Sequence, residues 1–488
     1  MNYKKYLFLI LAILIVYACS YSKNKSKINN EGGSPQEIKC SLSSYKKNIS
    51  YPFIGFNTNT IKGPKWTDKQ LQTILQKFNS QFLRYPGGTV SSLWDWKKGG
   101  FVANLPPEAL KDKEFSKRDI VTATLEEFKT AIDATQATPV LVLNMVTSDL
   151  NYQLEMLRHA KQIGLQVKYI ELGNEYYKSQ NVFTSKFPSP TDYAKEAVKW
   201  ATEIKKEFHD AEFAVIATRK GQDKDERLAN WNQGIFDVIK NEKIITAITV
   251  HPYSGPGRGI ESAITMNDMS NILGASFNGE LLLDVNQPAD KKIWITEYNA
   301  FDVKKDVMNS RWVHGLYAAN LTLGFLNNQN VEMVLYHSLI GNPSFRAIFT
   351  GTNDLKNAGG NAPTRPFDFS AAGYAYSIIL NAMKDKDVAT RLDFNTNISE
   401  SSFNKTYNAI VGWNFKGKTN SENILLNLSD KEVTIDIKDL NINEGSPYQT
   451  FTVANPIAFW ANSDAIIKKD IKISNNKIVL PAYSIVKF

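Results

Sequence analysis

Short apolar segments alternate with longer amphipathic stretches eight times between residues 51 and 337. Each apolar segment has the length of a buried strand, and most of the stretches between them carry the apolar spacing of a helix. Because neighbouring parallel strands need a crossover connection, this alternation predicts parallel strands joined by helices. The predicted strands are 51–57, 81–85, 138–144, 167–172, 212–217, 244–251, 293–296 and 331–337.

Eight strand–helix units in about 290 residues predict a closed (β/α)8 barrel, the TIM barrel, rather than an open sheet. We therefore assign the α/β class and place the barrel at residues 48–384. After residue 385, short strands follow one another with turn residues between them. This change of pattern predicts a C-terminal antiparallel β-sandwich over residues 385–488.

The chain begins with the pattern of a secretory signal. Lys4 and Lys5 precede an apolar run over residues 7–16, which is too short to span a bilayer as a mature helix. The run ends at Val16-Tyr-Ala-Cys19, which resembles a bacterial lipobox. We predict a signal peptide over residues 1–19, lipidation of Cys19 and attachment to a membrane of the bacterial cell envelope, at the outer membrane, the surface or the periplasmic face. An ordinary signal peptide or an uncleaved anchor is the alternative.

Residues 20–47 are rich in Ser, Asn, Lys and Gly and lack apolar periodicity, which predicts a flexible tether. Residues 1–47 hold eight Lys and two Glu, so +6 of the net charge of +8 lies there and only +2 in the remainder. The basic charge therefore does not indicate a nucleic-acid partner. With Cys19 lipidated, Cys40 is left without a partner and no disulfide framework is implied.

Two glutamates stand directly after predicted strands. Glu175 follows the fourth strand in Tyr169-Ile-Glu-Leu-Gly-Asn-Glu175, and Glu297 ends Lys292-Ile-Trp-Ile-Thr-Glu297 at the seventh. The carboxyl ends of barrel strands meet at one face, where two carboxyl groups can act on opposite sides of a glycosidic bond. Taken singly, each is equally a glutamate that caps the following helix. The sequence shows no Cys/His cluster for a metal and no Gly-rich phosphate loop of the right spacing, so no metal or other cofactor is expected.

Together these segments resemble a known group of enzymes. Gly173-Asn-Glu175 and Thr296-Glu-Tyr-Asn299 resemble the motifs of glycoside hydrolase clan A, the retaining TIM-barrel glycosidases. Leu83-Arg-Tyr-Pro-Gly-Gly88 resembles a motif of the family 51 α-L-arabinofuranosidases and their relatives, and Leu480-Pro-Ala-Tyr-Ser-Ile-Val486 resembles the closing strand of their β-domain. The resemblance implies that Glu175 is the acid/base, Glu297 the nucleophile, and the anomeric configuration retained.

The chain also departs from family 51 at the predicted sugar pocket. Thr296-Glu-Tyr-Asn299 stands where that family usually reads Asp-Glu-Trp-Asn, and Tyr336-His337 stands at the eighth strand, where a Trp is common in the clan. An α-L-arabinofuranosidase-like activity and an endo- or exo-β-glycosidase activity therefore both remain candidates.

The chemistry predicts a role for each neighbouring polar or aromatic residue. Glu175 has to be protonated near neutral pH, which requires burial or a nearby carboxylate that raises its pKa. Glu297 has to be ionised, which a close arginine favours. The remaining candidates bind substrate or line its pocket, and packing or capping is the alternative role for each. We expect Arg84 to pair with Glu297, Asn174 to bind the sugar 2-hydroxyl and Tyr253 to bind Glu297. We expect His251 to line the floor of the pocket, and Trp94 and Tyr336 to stack on sugar rings.

The sequence thus predicts a retaining glycoside hydrolase that acts on a polysaccharide or oligosaccharide without a cofactor. A transglycosylase would use the same two glutamates, because only the acceptor that reaches the intermediate differs. A non-catalytic, sugar-binding surface lipoprotein is the alternative from another class. It is disfavoured because both glutamates and Arg84 are present.

Overall fold

A computed structural model describes residues 37–488 except residues 50, 60, 62, 112–120, 223, 256–263, 301–307, 309, 342–344, 352–365, 404 and 461. Eight parallel strands close into a barrel, and the eighth pairs with the first. All eight predicted barrel strands are confirmed, each within a few residues of its predicted bounds. The strands are Ile54–Asn57, Phe82–Tyr85, Thr138–Val142, Tyr169–Glu171, Glu212–Ile216, Ala247–Thr249, Lys292–Ile295 and Val331–His337.

Helices surround the barrel. Some, such as Lys69–Phe78, bury one apolar face, whereas Trp312–Gly324 is buried over nearly its whole length. The helix Leu125–Thr135 begins at a capping box that the sequence encodes. The Thr124 hydroxyl accepts from the Glu127 amide, and the Glu127 carboxylate accepts from the Thr124 amide. The α-helices around the barrel are Lys69–Phe78, Pro107–Lys111, Leu125–Thr135, Leu150–Gln162, Asn181–Lys186, Pro190–Lys205, Glu226–Ile239, Met269–Ser276, Trp312–Gly324 and Ala371–Ala382.

The barrel interior changes from apolar to polar along its strands. A buried cluster fills the lower part and includes Phe82, Tyr169, Trp294 and Leu335. Because every second residue of a strand faces the same side, the residues two positions further along also point inward. These residues are polar: Arg84, Glu171, Thr296 and His337. A packed apolar floor therefore carries a polar layer at the carboxyl ends of the strands.

The C-terminal part is a β-sandwich, as predicted, and its strands pair in a nine-stranded arrangement. Its inner core includes Leu392, Ile410, Leu425, Ile435 and Ile478. In spatial order the strands are Ile467–Lys472, Pro447–Thr452, Ser484–Lys487, Ser421–Asn427, Ile410–Lys416, Val388–Phe394, Ile38–Asn48, Val433–Asp436 and Lys477–Leu480. Every pairing is antiparallel except that of Ile38–Asn48 with Val433–Asp436.

The strand Ile38–Asn48 corrects the predicted tether over residues 20–47, which is wrong for residues 38–47. Several inward positions of this strand are polar, including Ser43 and Lys47, so the sequence shows no apolar alternation. Polar contacts fix the strand instead. The Tyr45 hydroxyl donates to the carbonyl oxygen of Asn327 (2.6 Å), and Lys47 Nζ donates to the carbonyl oxygens of Asn328 (3.0 Å) and Gln329 (3.2 Å). The first strand of the sandwich thus precedes the barrel.

The predicted signal peptide, the lipidation site Cys19 and residues 20–36 lie outside the described residues. Within the part of the chain that the structure describes, no helix is long and apolar enough to cross a membrane.

Candidate active site

Arg84 is the centre of the polar layer and is fully buried. Its Nε and Nη2 donate to the two carboxylate oxygens of Glu171, both at 2.8 Å. Nη1 donates to Glu297 Oε1 at 2.8 Å, and Nη2 also donates to Asn174 Oδ1 at 2.8 Å. This planar donor set fixes three side chains at once through four hydrogen bonds. The predicted pairing of Arg84 with Glu297 is therefore present.

Glu297 is buried and held from both carboxylate oxygens. Oε1 accepts from Asn57 Nδ2 at 3.0 Å in addition to Arg84, and Oε2 accepts from the Tyr253 hydroxyl at 2.7 Å. Burial alone would raise the pKa of Glu297, but the imidazoles of His251 and His337 and the permanently charged Arg84 lower it to about 2. Glu297 is thus an oriented, ionised carboxylate, as expected.

Glu175 has the left-handed backbone conformation (φ 52°), which is costly for a residue with a side chain. The preceding Gly173 has φ 105°, and a Cβ there would lie 2.3 Å from the Tyr176 ring. Glu175 Oε1 accepts from the Tyr177 hydroxyl and lies 2.9 Å from His251 Nδ1. Oε2 forms an ion pair with Lys178, since the turn brings the Lys178 amide onto the Glu175 carbonyl oxygen.

The structure does not support the raised pKa that is expected for Glu175. Burial raises the pKa of this carboxyl, but the Lys178 ammonium and the hydrogen bond from His251 outweigh burial and hold the pKa well below its usual range. The sequence does not reveal this cation, because Lys178 reaches Glu175 only through the local turn.

His251 contacts Glu175 directly. Its Nδ1 lies 2.9 Å from Glu175 Oε1, and its Nε2 lies 3.1 Å from the Thr296 hydroxyl, which in turn donates to Glu171 Oε2 at 3.3 Å. An imidazole and a carboxyl group at this distance share a hydrogen bond, and a proton can pass between them along it.

The two glutamates face each other across His251. One carboxylate oxygen of Glu175, one of Glu297 and one His251 nitrogen all lie within 4.8 Å of one another. The distances between these three atoms would suit a divalent cation. However, Lys178 already pairs with Glu175 and Arg84 with Glu297, and both would repel a second cation.

No protein-family model matches the chain, and no curated protein matches its sequence. Solved structures do match it over most of its length. A family 51 α-L-arabinofuranosidase from Bifidobacterium longum has 13% identity, covers 92% of this chain and 98% of its own, and gives a TM-score of 0.70. The chain shares the fold of family 51 α-L-arabinofuranosidases.

Two further structures have the same fold. An α-L-arabinofuranosidase from Thermotoga maritima, solved with arabinose, has 14% identity with coverages of 92% and 99% and a TM-score of 0.66. A 4-O-α-L-rhamnosyl-β-D-glucuronidase from Fusarium oxysporum 12S has 12% identity, the same coverages and a TM-score of 0.62. The arabinofuranosidase fold therefore accommodates enzymes named for different sugars.

The structure places some of the other predicted site residues in the polar layer and buries others in the core. Asn174, His251 and Tyr253 lie in the polar layer. Within the described part of the chain, the buried Nδ2 of Asn174 has no hydrogen-bond partner, which leaves it able to donate to a ligand. The stacking role of Trp94 is wrong, because its ring is buried and its Nε1 donates to the Tyr85 hydroxyl at 3.0 Å. The role of Tyr336 is wrong for a similar reason, since its ring packs against Phe56, Tyr298 and Tyr376.

His337 occupies the place expected for Tyr336, because the next residue of the strand faces the opposite side. Its Nδ1 lies 2.7 Å from Asn57 Nδ2 and 3.8 Å from Glu297 Oε2. Burial lowers the pKa of His337, and Nδ1 lies within hydrogen-bonding distance of the Asn57 amide group. Asn57 itself was not predicted as a site residue, although a polar residue that ends the first barrel strand is a signal for one.

Replacing Arg84 by methionine should destabilise the protein by about 3–5 kcal/mol, because the buried carboxylates of Glu171 and Glu297 would lose their shared cation. Urea unfolding followed by circular dichroism measures this loss. The control is Arg158→Met, which removes an exposed pair with Glu207 and should change stability little. A loss for Arg84→Met no larger than that of the control would contradict the role of the buried pair.

Proposed function

We propose that the protein is a retaining glycoside hydrolase in which Glu297 is the nucleophile and Glu175 the acid/base. One observation carries the proposal: carboxylate oxygens of the two glutamates lie within 4.8 Å of each other at the carboxyl end of the barrel. Retaining enzymes hold their carboxyl groups about 5–5.5 Å apart, whereas inverting enzymes need about 6.5–9.5 Å to admit a water molecule. The structural similarity to glycoside hydrolases supports the same reaction class.

In the first step Glu297 Oε2 attacks the anomeric carbon while Glu175 protonates the leaving oxygen, and a covalent glycosyl-enzyme forms. Glu175 supplies this proton, and His251 Nδ1, which lies 2.9 Å from Glu175 Oε1, is placed to exchange a proton with it. In the second step Glu175 removes a proton from water, and the water attacks the anomeric carbon and releases Glu297. Arg84, Asn57 and Tyr253 keep the nucleophile oriented in both steps.

A panel of aryl glycosides tests the proposal, because release of the coloured phenol needs no knowledge of the natural leaving group. The panel contains α-L-arabinofuranosides together with β-linked pyranosides. We expect the wild-type chain to cleave at least one member and Glu297→Gln to cleave none. Cleavage of no member, together with measurable binding of a sugar, would favour the sugar-binding lipoprotein instead.

Lys178 should set the pH range of the enzyme. Because its ammonium lowers the pKa of Glu175, Lys178→Met should raise that pKa. The general acid works only while protonated, so the alkaline limb of the kcat/KM profile should move to higher pH. Profiles of the variant and of the exposed control Lys206→Met, measured on a substrate with a poor leaving group, check this. An unmoved or acid-shifted limb in Lys178→Met would show that Lys178 does not control the acid.

We propose in addition that Cys19 carries a lipid that attaches the protein to the cell envelope. The basis is the sequence pattern of residues 1–19. Cys19→Ala should leave the protein unprocessed or release it from membranes, as measured by fractionation and the mass of the N-terminal peptide. Cys40→Ala is the matched control and should remain membrane-bound. Membrane association of a fully processed Cys19→Ala protein would refute the anchor.

A further inference from the structure

Arg219 lies three residues after the fifth barrel strand, Glu212–Ile216, at the carboxyl end where the polar layer lies. The fifth strand pairs with the fourth, which leads to Glu175. Arg219 is half-buried, and its position makes it a second arginine at the mouth of the barrel.

The guanidinium of Arg219 has few partners. Nη1 donates to the carbonyl oxygen of Lys220 at 3.0 Å, and the buried Nε has no hydrogen-bond partner among the residues that the structure describes. No carboxylate of the described residues forms an ion pair with it. Burial lowers the pKa of Arg219, which shows that its charge is poorly compensated. In contrast, Arg84 pairs with two carboxylates and Arg158 with one.

Arg219 lies closer in the fold to Glu175 than to Glu297. Arg219 follows the strand that pairs with the strand leading to Glu175, and the Tyr177 hydroxyl donates to Glu175 Oε1 at 2.9 Å. Lys178 contacts the other oxygen of the same carboxylate. Both cations therefore stand on the Glu175 side of the site. In a retaining mechanism the acid/base protonates the leaving oxygen, so this side receives the leaving-group sugar.

A half-buried arginine without a counter-ion is a site for a planar or tetrahedral oxyanion, since its donors match carboxylate and sulfate oxygens. We propose that Arg219 binds an anionic group on the leaving-group sugar, the carboxylate of a uronic acid or a sulfate ester. This specificity rests on the proposed glycosidase function and adds the substrate class: charged rather than neutral glycans. An anion there would provide the acceptor for Arg219 Nε.

The test compares three disaccharides that share the scissile sugar identified by the aryl glycoside panel. Their leaving sugars are glucose, glucuronate and glucose 6-sulfate. The measured quantity is the ratio of kcat/KM for each charged disaccharide to that for the neutral one. Wild type should give a ratio well above one for at least one charged substrate. Comparing the glucuronate substrate with the glucose 6-sulfate substrate shows whether Arg219 binds a carboxylate or a sulfate. Arg219→Gln should lower that ratio about 10- to 100-fold, the factor that a lost hydrogen bond to a charged group corresponds to.

Two controls make the result decisive. Arg158→Gln removes an exposed arginine that contacts Glu207 on the surface and should leave the ratio unchanged. Arg219→Lys keeps the charge and should give an intermediate ratio, which shows that a low ratio in Arg219→Gln does not come from misfolding. A wild-type ratio at or below one for both charged substrates, or an unchanged ratio in Arg219→Gln, would overturn the proposal. Failure to cleave any aryl glycoside would instead overturn the glycosidase function itself.

Discussion

Glu297→Ala should abolish turnover of every substrate, including aryl glycosides whose acidic phenols need no proton. The variant lacks the oxygen that attacks the anomeric carbon, so leaving-group ability cannot compensate. We expect kcat to fall at least about 10,000-fold, the scale on which enzymes depend on their nucleophile. Initial rates of phenol release from substrates with leaving groups of different pKa measure the effect.

Loss of Glu297 also removes one of the two carboxylates that pair with Arg84, so its effect on folding has to be separated from its effect on chemistry. Glu297→Gln keeps the shape of the side chain and should be equally inactive while its circular dichroism spectrum stays that of the wild type. Glu203→Gln, at an exposed ion pair with Lys206, is the matched control and should retain full activity. Residual kcat of Glu297→Ala above about one per cent would be too large for a missing nucleophile.

Glu175→Ala should lose activity unequally across substrates. Poor leaving groups need the proton from Glu175, and their kcat should fall about 100- to 10,000-fold, the range of general acid catalysis. Aryl glycosides with acidic phenols should still form the glycosyl-enzyme, which then accumulates because no base activates water. Plots of log kcat/KM against leaving-group pKa should therefore be steeper for the variant than for wild type.

Added azide should rescue this variant, since a small anion fits in the space that the Glu175 carboxylate leaves and attacks without a general base. The product should be a glycosyl azide with the configuration of the substrate, as two displacements require. Tyr177→Phe retains the carboxylate but removes one of its hydrogen bonds, so it should show no azide rescue. An equal loss on all substrates without rescue would contradict the acid/base role of Glu175.

The sequence predicts the scaffold well because the scaffold depends on simple patterns. The eighth strand, Val331–His337, is an apolar run of strand length, and Glu175 and Glu297 are visible as carboxylates that follow such runs. Arg84 can be identified in the same way, since it lies on the second strand within a motif that resembles one of family 51. These features are local in sequence, and the barrel brings them together without further information.

The errors concern properties that depend on neighbours from elsewhere in the chain. Trp94 and Tyr336 are aromatic residues near strand ends, and the sequence does not state which face they occupy. The strand Ile38–Asn48 has polar inward residues whose partners lie about 280 positions away, at Asn327 and Asn328. The low pKa of Glu175 depends on a left-handed turn that folds Lys178 back onto its carboxylate.

The most direct test of the account is the identity of the residue that becomes covalently glycosylated. Glu175→Ala is incubated with an aryl glycoside that wild type cleaves, quenched in acid and digested, and the modified peptide is sequenced by mass spectrometry. We expect an added glycosyl mass on Glu297 and its absence when Glu297 is also replaced by glutamine. A glycosyl group on another residue, or complete turnover with inversion and no adduct, would contradict the proposed mechanism.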